Sequence, residues 1–526
     1  MTAAYECNGK PVSADAFYAI ACDPRRSVAV EACAGAGKTW MLVSRIVRAL
    51  LDGANAPDHA DGSPREAVRP HEVLAITFTK KAAGEMRERL DEWLQKFTHA
   101  DDDTLRQELV MRGVSSQKSP QSNADLRRQL SNLYRSMLAG GRSVQIRTFH
   151  GWFAALLRSA PVAVLHRLGM PVNYQLLEDD APARALVWRR FYAALAGEAP
   201  LQADFEALVL GHGRFQAGKA LQAALDKRTE FVLADEQGVV DASVQPFAAQ
   251  FPEFAELAAP QDCLAPAGAG HALLVQAATA LGRASAPSFS AKGAELAQAL
   301  SGQDLPGIVG ALLTDKGTPR KFGEKINGID AVRQAQDLVL RVQAACQQHE
   351  AWLHQQRMAR LTRLLIAQYT QLKREHGWVD MNDVERAALV LLSDPVLAGW
   401  VQERLDARIK HLMIDEFQDT NPLQWQALSS WLSGYGGAGA APSVFLVGDP
   451  KQSIYRFRRA EPQVFRAAQA FVVEGLGGDL LSCDHTRRNA LAVIGTVNAV
   501  MGQARAVDGY DGFRDHSTDS AKAGAA

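Results

Sequence analysis

Ser27-Val-Ala-Val-Glu31 runs directly into Ala32-Cys-Ala-Gly-Ala-Gly-Lys-Thr39, and a helical pattern continues to Leu51. The apolar run predicts a short buried strand. A glycine-rich turn between a strand and a helix has the spacing of a phosphate-binding loop. Gly35 and Gly37 let the backbone of Ala34, Gly35, Ala36 and Gly37 curl around phosphate oxygens. The helix start, Lys38-Thr39-Trp40, adds the positive end of its dipole. Lys38 then reaches the β- and γ-phosphates of a nucleotide such as ATP, and Thr39 ligates Mg²⁺. Ala32 stands where the general pattern has its first glycine.

Outward from this loop the chain keeps alternating. Val73–Thr79 and Val144–Thr148 read as strands, each followed by a helical pattern. After Gly377 the pattern resumes, with strands at Lys410–Ile414, Ser443–Val447 and Asp479–Cys483. Short buried strands alternating with helices predict an α/β fold around a parallel sheet. Between about Val164 and Arg363 the strand signals give way to Ala, Leu, Gln and Arg at helical spacing, which predicts an inserted helical domain. Asp101–Gly141 reads as a surface insertion. The stretches 55–70 and 434–442 read as loops, and the tail after Asp508 as lacking a core.

Two further segments carry chemistry. Met413-Ile-Asp-Glu-Phe-Gln-Asp-Thr420 is an apolar strand ending in two acids. Asp415 can hold a metal through its water shell, and Glu416 can orient or deprotonate an attacking water. Val447-Gly-Asp-Pro-Lys-Gln-Ser-Ile-Tyr-Arg-Phe-Arg-Arg-Ala460 follows another strand. There Gln452 can sense a γ-phosphate and Arg458 can neutralise charge developing on it. Tyr455 and Phe457, interleaved with basic residues, suit base stacking. Taken alone, core packing accounts for both rings better.

Composition sets wider bounds. The 526 residues leave room for two large domains or several smaller ones. The charge balance, 57 basic against 58 acidic residues, excludes any argument for nucleic acid from net charge. Six cysteines form no ligand spacing and read as reduced thiols. No apolar run has the length of a membrane span and no leader pattern is evident, so the reading is cytoplasmic with no membrane partner.

Thr77-Phe-Thr-Lys-Lys-Ala-Ala-Gly-Glu-Met-Arg-Glu-Arg89, Thr148-Phe-His-Gly-Trp-Phe153, DEFQDT at 415–420 and GDPKQSIYRFR at 448–458, with the phosphate loop, occur in the order found in UvrD/Rep-type superfamily 1 helicases. The chain resembles that family, most closely its RecB/AddA branch. The resemblance implies RecA-like domains, the helical segment being inserted in the first. It implies ATP-driven 3′-to-5′ translocation and unwinding of DNA in recombination or repair, with Mg²⁺. It implies single- and double-stranded DNA as partners and is compatible with a nuclease or helicase partner subunit.

By position it implies that Lys38 and Thr39 bind triphosphate and Mg²⁺, and that Asp415 and Glu416 hold the metal and activate water. Gln418 and Gln452 would couple nucleotide to DNA, and Arg458 would contact the γ-phosphate. Thr77, Phe78, His150, Tyr455 and Phe457 would lie where the family grips single-stranded DNA. A plain strand for Thr77 and a helix-start histidine for His150 stay open as alternatives. The family's adenine-reading Gln falls by spacing on Phe17. Leu481-Ser-Cys-Asp-His-Thr-Arg-Arg-Asn489 resembles the first motif of a second RecA-like domain, with Arg488 in the arginine position.

The expected organisation is therefore a first RecA-like domain in two parts, 1–163 and 364–478, a helical subdomain at 164–363, and the start of a second RecA-like domain at 479–526. The residues after 489 are too few for another such core, which takes on the order of 100 residues, and the last family motifs have no counterpart. The expectation is an N-terminal part of a longer helicase. A module that binds nucleotide and single-stranded DNA without turnover is the alternative. A small-molecule phosphotransferase explains the loop but neither DEFQDT nor GDPKQSIYRFR. The basic residues Arg357, Arg360, Arg363, Lys373 and Arg374, and the group Lys316, Arg320, Lys321 and Lys325, could neutralise phosphates or form solvated faces.

Overall fold

The computed structural model describes residues 4–52, 68–114, 120–167, 169–177, 179–394, 409–434, 441–455, 459–508 and 513–520. Most of the expected loop at 55–70, and most of that at 434–442, lie outside them. The chain divides into two compact units, one made of Met1–Glu178 with Gly377–Ala526, the other of Asp179–His376.

Twelve strands are present among the described residues: β1 (Tyr5–Cys7), β2 (Lys10–Pro11), β3 (Val28–Ala32), β4 (Val73–Thr77), β5 (Gln145–Thr148), β6 (Gln175–Leu177), β7 (Trp378–Asp380), β8 (His411–Ile414), β9 (Ser443–Gly448), β10 (Asp479–Cys483), β11 (His485–Thr486) and β12 (Ser517–Thr518). Eight of them form one sheet in the order β2-β1-β10-β3-β9-β8-β4-β5. From β10 to β5 every pairing is parallel, and β1 closes the other side antiparallel to both its neighbours. This is the α/β architecture expected from the alternating pattern.

The sheet is buried on both faces because successive side chains point to opposite sides. Val28, Val30, Val73, Ala75, Met413, Phe445, Val447 and Leu481 face one core. Ala29, Leu74, Ile76, Leu412, Ile414, Val444 and Leu446 face the other. That two-sided burial explains why these strands read as unbroken apolar runs rather than alternating ones.

The first core is covered by α1 (Ala14–Ala21), α2 (Lys38–Asp52) and α3 (Lys80–His99). It also takes in α4 (Asp102–Met111) and α5 (Pro120–Ala139). The stretch expected as a surface insertion is therefore part of the core. Leu105, Leu109, Leu126, Leu130 and Leu133 are all buried in it. Arg112 is buried with them, its guanidinium 4.7 Å from the Trp93 ring centre and 5.2 Å from that of Phe97, and paired with Glu108 at 2.5 Å. The polar surface of these helices hid a narrow apolar stripe at helical spacing.

Two other boundaries differ from expectation. Asp479–Cys483 does not begin a separate body: it is an interior strand paired with β3. The tail also has structure within its described part. Phe513 is buried, β12 pairs with β11, and Arg514 meets Asp484 at 2.8 Å and Glu6 at 3.3 Å. The rest of the tail lies outside the described residues.

The second unit is helical, as its composition suggests, but runs from Asp179 to His376. Val164 and Leu165 pack instead into the second core of the sheet unit. One helix, Ile329–His376, has 48 residues, on the order of 70 Å at the usual rise. Its first half buries Val332, Ala335, Val339, Val342 and Ala345 in the unit's own core. All six cysteines are free, and no helix among the described residues is long and apolar enough to cross a membrane.

Because Leu130 is fully buried, Leu130→Ala is expected to lower stability by about 2–5 kcal/mol. Urea unfolding followed by circular dichroism measures this. A change under about 0.5 kcal/mol, as at a surface site, would place α5 outside the core.

Candidate functional site

Parallel strands share a direction, so the loops after β3, β4, β5, β8, β9 and β10 all leave the same edge of the sheet. Open α/β sheets bind ligands at that edge. Here it carries every motif singled out from the sequence.

The phosphate loop leaves β3. Gly35 and Gly37 have φ of +80° and +88°, a region that favours glycine. A Cβ on Gly35 would also stand 2.5 Å from Thr486 Oγ1 and 2.7 Å from Arg488 Cβ. The segment after β10 thus lies directly against the loop, and the Arg487 N–H donates to the Gly35 carbonyl at 3.0 Å. Ala36 is buried, Ala34 and Thr39 are half-buried, and Thr39 lies in the first turn of α2. The Trp40 ring is committed to packing, 5.5 Å from Tyr18 and 6.3 Å from Trp93. Phe17 is fully buried beside Tyr5 and Tyr18, so its side chain belongs to the core rather than to a base-reading position.

Lys38 is only 9% exposed, and its Nζ stands 3.9 Å from Glu416 Oε2. Asp415 directly follows β8, its N–H donating to the Ile76 carbonyl of β4 at 2.9 Å. Burial pushes the Asp415 carboxyl up to about 7, and the Glu416 charge adds to the shift. The Glu416 N–H donates to Asp415 Oδ1 at 3.0 Å, and it, Lys38 and Arg89 act in the opposite direction. Glu416 itself has φ +49°, a rare conformation for a residue with a side chain. Asp419, one turn on, is raised to about 6 by burial and by Glu416.

Gln418 links this acidic turn to the next one. Its Nε2 donates to Glu416 Oε2 at 2.8 Å, while its Oε1 accepts the Asp449 N–H at 2.9 Å. Its carbonyl accepts the Ser453 hydroxyl at 3.1 Å. The approach needs a glycine at 448, where a Cβ would stand 2.5 Å from Gln418 Oε1. The Gln452 amide donates to Asp449 Oδ2 at 2.6 Å, within its own turn. Phe457 and Arg458 lie outside the described residues.

On the neighbouring strand ends, the Phe78 and Tyr455 rings meet at 4.6 Å with a 34° tilt. Both are half-buried and neither belongs to a hydrophobic core cluster. Thr77 is the reverse case. It is 0% exposed with its hydroxyl enclosed, so its side chain is a strand residue and not a ligand contact. His150 is partly exposed, its Nε2 3.2 Å from the buried carboxylate of Glu385. Arg488 is exposed, whereas Arg487 donates to the Tyr18 hydroxyl at 3.1 Å.

Arg487, Tyr18, Glu385 and Arg459 were missed in the sequence. Glu385 had a legible signal: it is a charge on the apolar stripe of Met381–Ser393, among Val384, Ala388, Leu391 and Leu392. Asp380 and Asp383 cap that helix reciprocally. In the helical unit, Arg360 is bonded to Asp204, and Arg363 to Asp235 and Asp241. Those two arginines are neutralised within the protein rather than presented to phosphates. Arg320 donates to the Gly310 carbonyl.

A divalent ion has few protein ligands here. No group of three or more His, Cys, Asp or Glu side chains able to hold a metal occurs among the described residues. One hydroxyl and one carboxylate, Thr39 and Asp415, suit a Mg²⁺ that keeps water and phosphate oxygens as its other ligands. The donor set thus fits a metal that arrives with a nucleotide.

Residues 13–472 match the model of the UvrD/REP helicase N-terminal domain. The chain is similar to an ATP-dependent helicase/nuclease subunit from Bacillus mycoides strain KBAB4, with 26% identity over 89% of this chain and 37% of that protein. A protein of the same description from Geobacillus thermodenitrificans is 27% identical over 92% of this chain and 39% of its own length. One from Syntrophomonas wolfei is 26% identical, over 84% and 34% respectively. The chain thus spans well under half the length of these relatives. With its motifs assembled on one sheet edge and the domain model covering most of its residues, the chain belongs to the UvrD/REP helicase family.

Proposed function

We propose that this chain carries the ATP-hydrolysing machinery of a DNA translocase that moves 3′-to-5′ and serves recombination or break repair. The observation that carries this reading is the path from Lys38 to Glu416, an ion pair at 3.9 Å, and on by hydrogen bonds through Gln418 to Asp449. It joins the phosphate loop to the segment bearing Tyr455, whose ring packs on Phe78. A change at the nucleotide therefore has a physical route to a pair of rings suited to stacking on single-stranded bases. The family and the helicase/nuclease description of the relatives support the reading. A nuclease or helicase partner subunit is part of the proposal.

In this mechanism the phosphate-loop backbone and Lys38 hold the triphosphate. Glu416 orients the attacking water in line with the γ-phosphate and takes its proton. Thr39 and Asp415 would hold Mg²⁺, which would supply positive charge against the phosphate oxygens. Gln418 reports the position of Glu416 to the turn holding Asp449 and Gln452. Arg458 supplies positive charge to the γ-phosphate, with Arg487 and Arg488 beside the loop. Phe78, His150, Tyr455 and Phe457 form the DNA side.

ATP hydrolysis by the purified chain, with and without single-stranded DNA, tests this. DNA-stimulated turnover that falls at least about a hundredfold in Lys38→Ala is expected, since a transition-state charge contact is worth several kcal/mol. Lys38-dependent ATP binding without turnover would instead make the chain a nucleotide- and DNA-binding module. Failure to bind nucleotide would overturn the proposal.

Buried Asp415 also sets a pH response. The folded Asp415 titrates at about 7, against about 3.9 for an unfolded aspartate. Between those values the folded chain holds a proton that the unfolded chain has lost, so this group's contribution to stability falls as pH rises. Asp415→Asn is therefore expected to gain stability relative to the unaltered chain between about pH 4 and about pH 7, the edges of that window. Denaturant unfolding at the two pH values measures it; an equal difference at both would contradict the assignment.

A further inference from the structure

Glu385 is 2% exposed, and both its oxygens are engaged by groups from three separate segments. Oε1 accepts from Asn421 Nδ2 and Gln424 Nε2, each at 2.8 Å, and stands 3.2 Å from His150 Nε2. Oε2 accepts from Arg459 Nη1 at 3.0 Å. Burial pushes the Glu385 carboxyl up, but the hydrogen bond with His150 and the positive charge around it hold it below the usual glutamate range.

Each partner is fixed from behind. Asn421 and Gln424 cap the helix Pro422–Ser433 reciprocally, each side-chain oxygen accepting the other's N–H. Their NH₂ groups are left for Glu385, directly after the DEFQDT turn. Arg459 also donates to Asn382 Oδ1. It has φ +71°, a backbone strain of order 1–3 kcal/mol for a residue with a side chain. The Ala460 N–H donates to the Tyr455 carbonyl at 3.2 Å, so the anchored Arg459 sits beside the closing bond of the loop that carries Tyr455. His150 lies in the first turn of Phe149–Ser159, after β5.

We propose that Glu385 is a positioning residue for single-stranded DNA: it holds His150 and the Tyr455 loop in register with the acidic turn. This rests on the reading that His150 and Tyr455 face DNA. Glu385 does not itself touch the nucleic acid. Its side chain is closed off by four donors, and it acts by fixing two DNA-side groups on different strand ends. Glycine would meet the backbone requirement at 459 alone, so what the arginine adds there is its guanidinium on Glu385 and Asn382.

The test compares the affinity of the full chain for a fluorescein-labelled oligothymidine strand, by anisotropy, with its affinity for a fluorescent ATP analogue in the absence of DNA. In Glu385→Gln, DNA affinity is expected to fall about tenfold or more, the loss of one charged hydrogen bond. Nucleotide affinity should stay close to that of the unaltered chain, while the melting temperature falls because buried Arg459 loses its charged partner. Arg459→Gly relieves the strained backbone and removes the same ion pair, so it gives the same DNA-selective loss and decides the matter if Glu385→Gln fails to fold. The double variant should lose no more than either single one.

DNA affinity unchanged in folded Arg459→Gly, or DNA and nucleotide affinities falling together, would overturn the positioning role while leaving the wider reading in place. No oligothymidine binding by the unaltered chain would overturn that reading and this inference with it.

Discussion

Lys38 meets the carboxylates of Asp415 and Glu416 at the ends of β3 and β8, two parallel strands with β9 between them, and the rest of the sheet unit is arranged around that constraint. Asp415 is pushed up to about 7 by burial and by its neighbour Glu416, and only Lys38 and Arg89 oppose this as side-chain charges. Placing a buried carboxylate beside a second one is costly. The pair is held because β8 is pinned between β9 and β4 and the phosphate loop is pinned by the segment after β10. A site that carries excess negative charge beside a lysine is poised for ligands that bring both phosphates and a divalent ion. The strained Glu416 backbone belongs to the same arrangement.

The link between this site and the aromatic pair depends on shape as much as on charge. Gln418 reaches Asp449 only because residue 448 has no side chain. The same amide holds Glu416 with its other end. One side chain therefore fixes the separation of two turns from two strands. A shorter or β-branched residue at 418 would serve one turn and release the other.

Much of this was legible in the sequence. Buried parallel strands read as short apolar runs, and turns that carry phosphate chemistry need glycines and charges at fixed offsets. Lys38, Asp415, Glu416 and Gln418 therefore came out of spacing and family resemblance alone. What was not legible depended on partners distant in the chain. Nothing local says that Thr77 is enclosed, that Arg360 and Arg363 are paired with Asp204, Asp235 and Asp241, or that Glu385 collects four donors. The apolar stripe of α4 and α5 was masked by its charged faces. Phe513 and Arg514 looked featureless because their partners, Lys451, Asp484 and Glu6, lie far away in the sequence.

The strand order has a consequence for how the chain is made. β3, which launches the phosphate loop, lies between β9 and β10. At its far side Asn8 of the N-terminal hairpin bonds to Asp479, 471 residues later, at 3.0 Å. Non-local pairings of this kind form late and slowly. During synthesis, Asp179–His376 is a contiguous stretch with its own core and completes before the sheet has its central strands. Until Cys483 emerges, β3 has an open flank on the ribosome, an unpaired edge of Val-Ala-Val-Glu-Ala of the kind that invites aggregation. The nucleotide pocket is thus sealed only after β10 has been made.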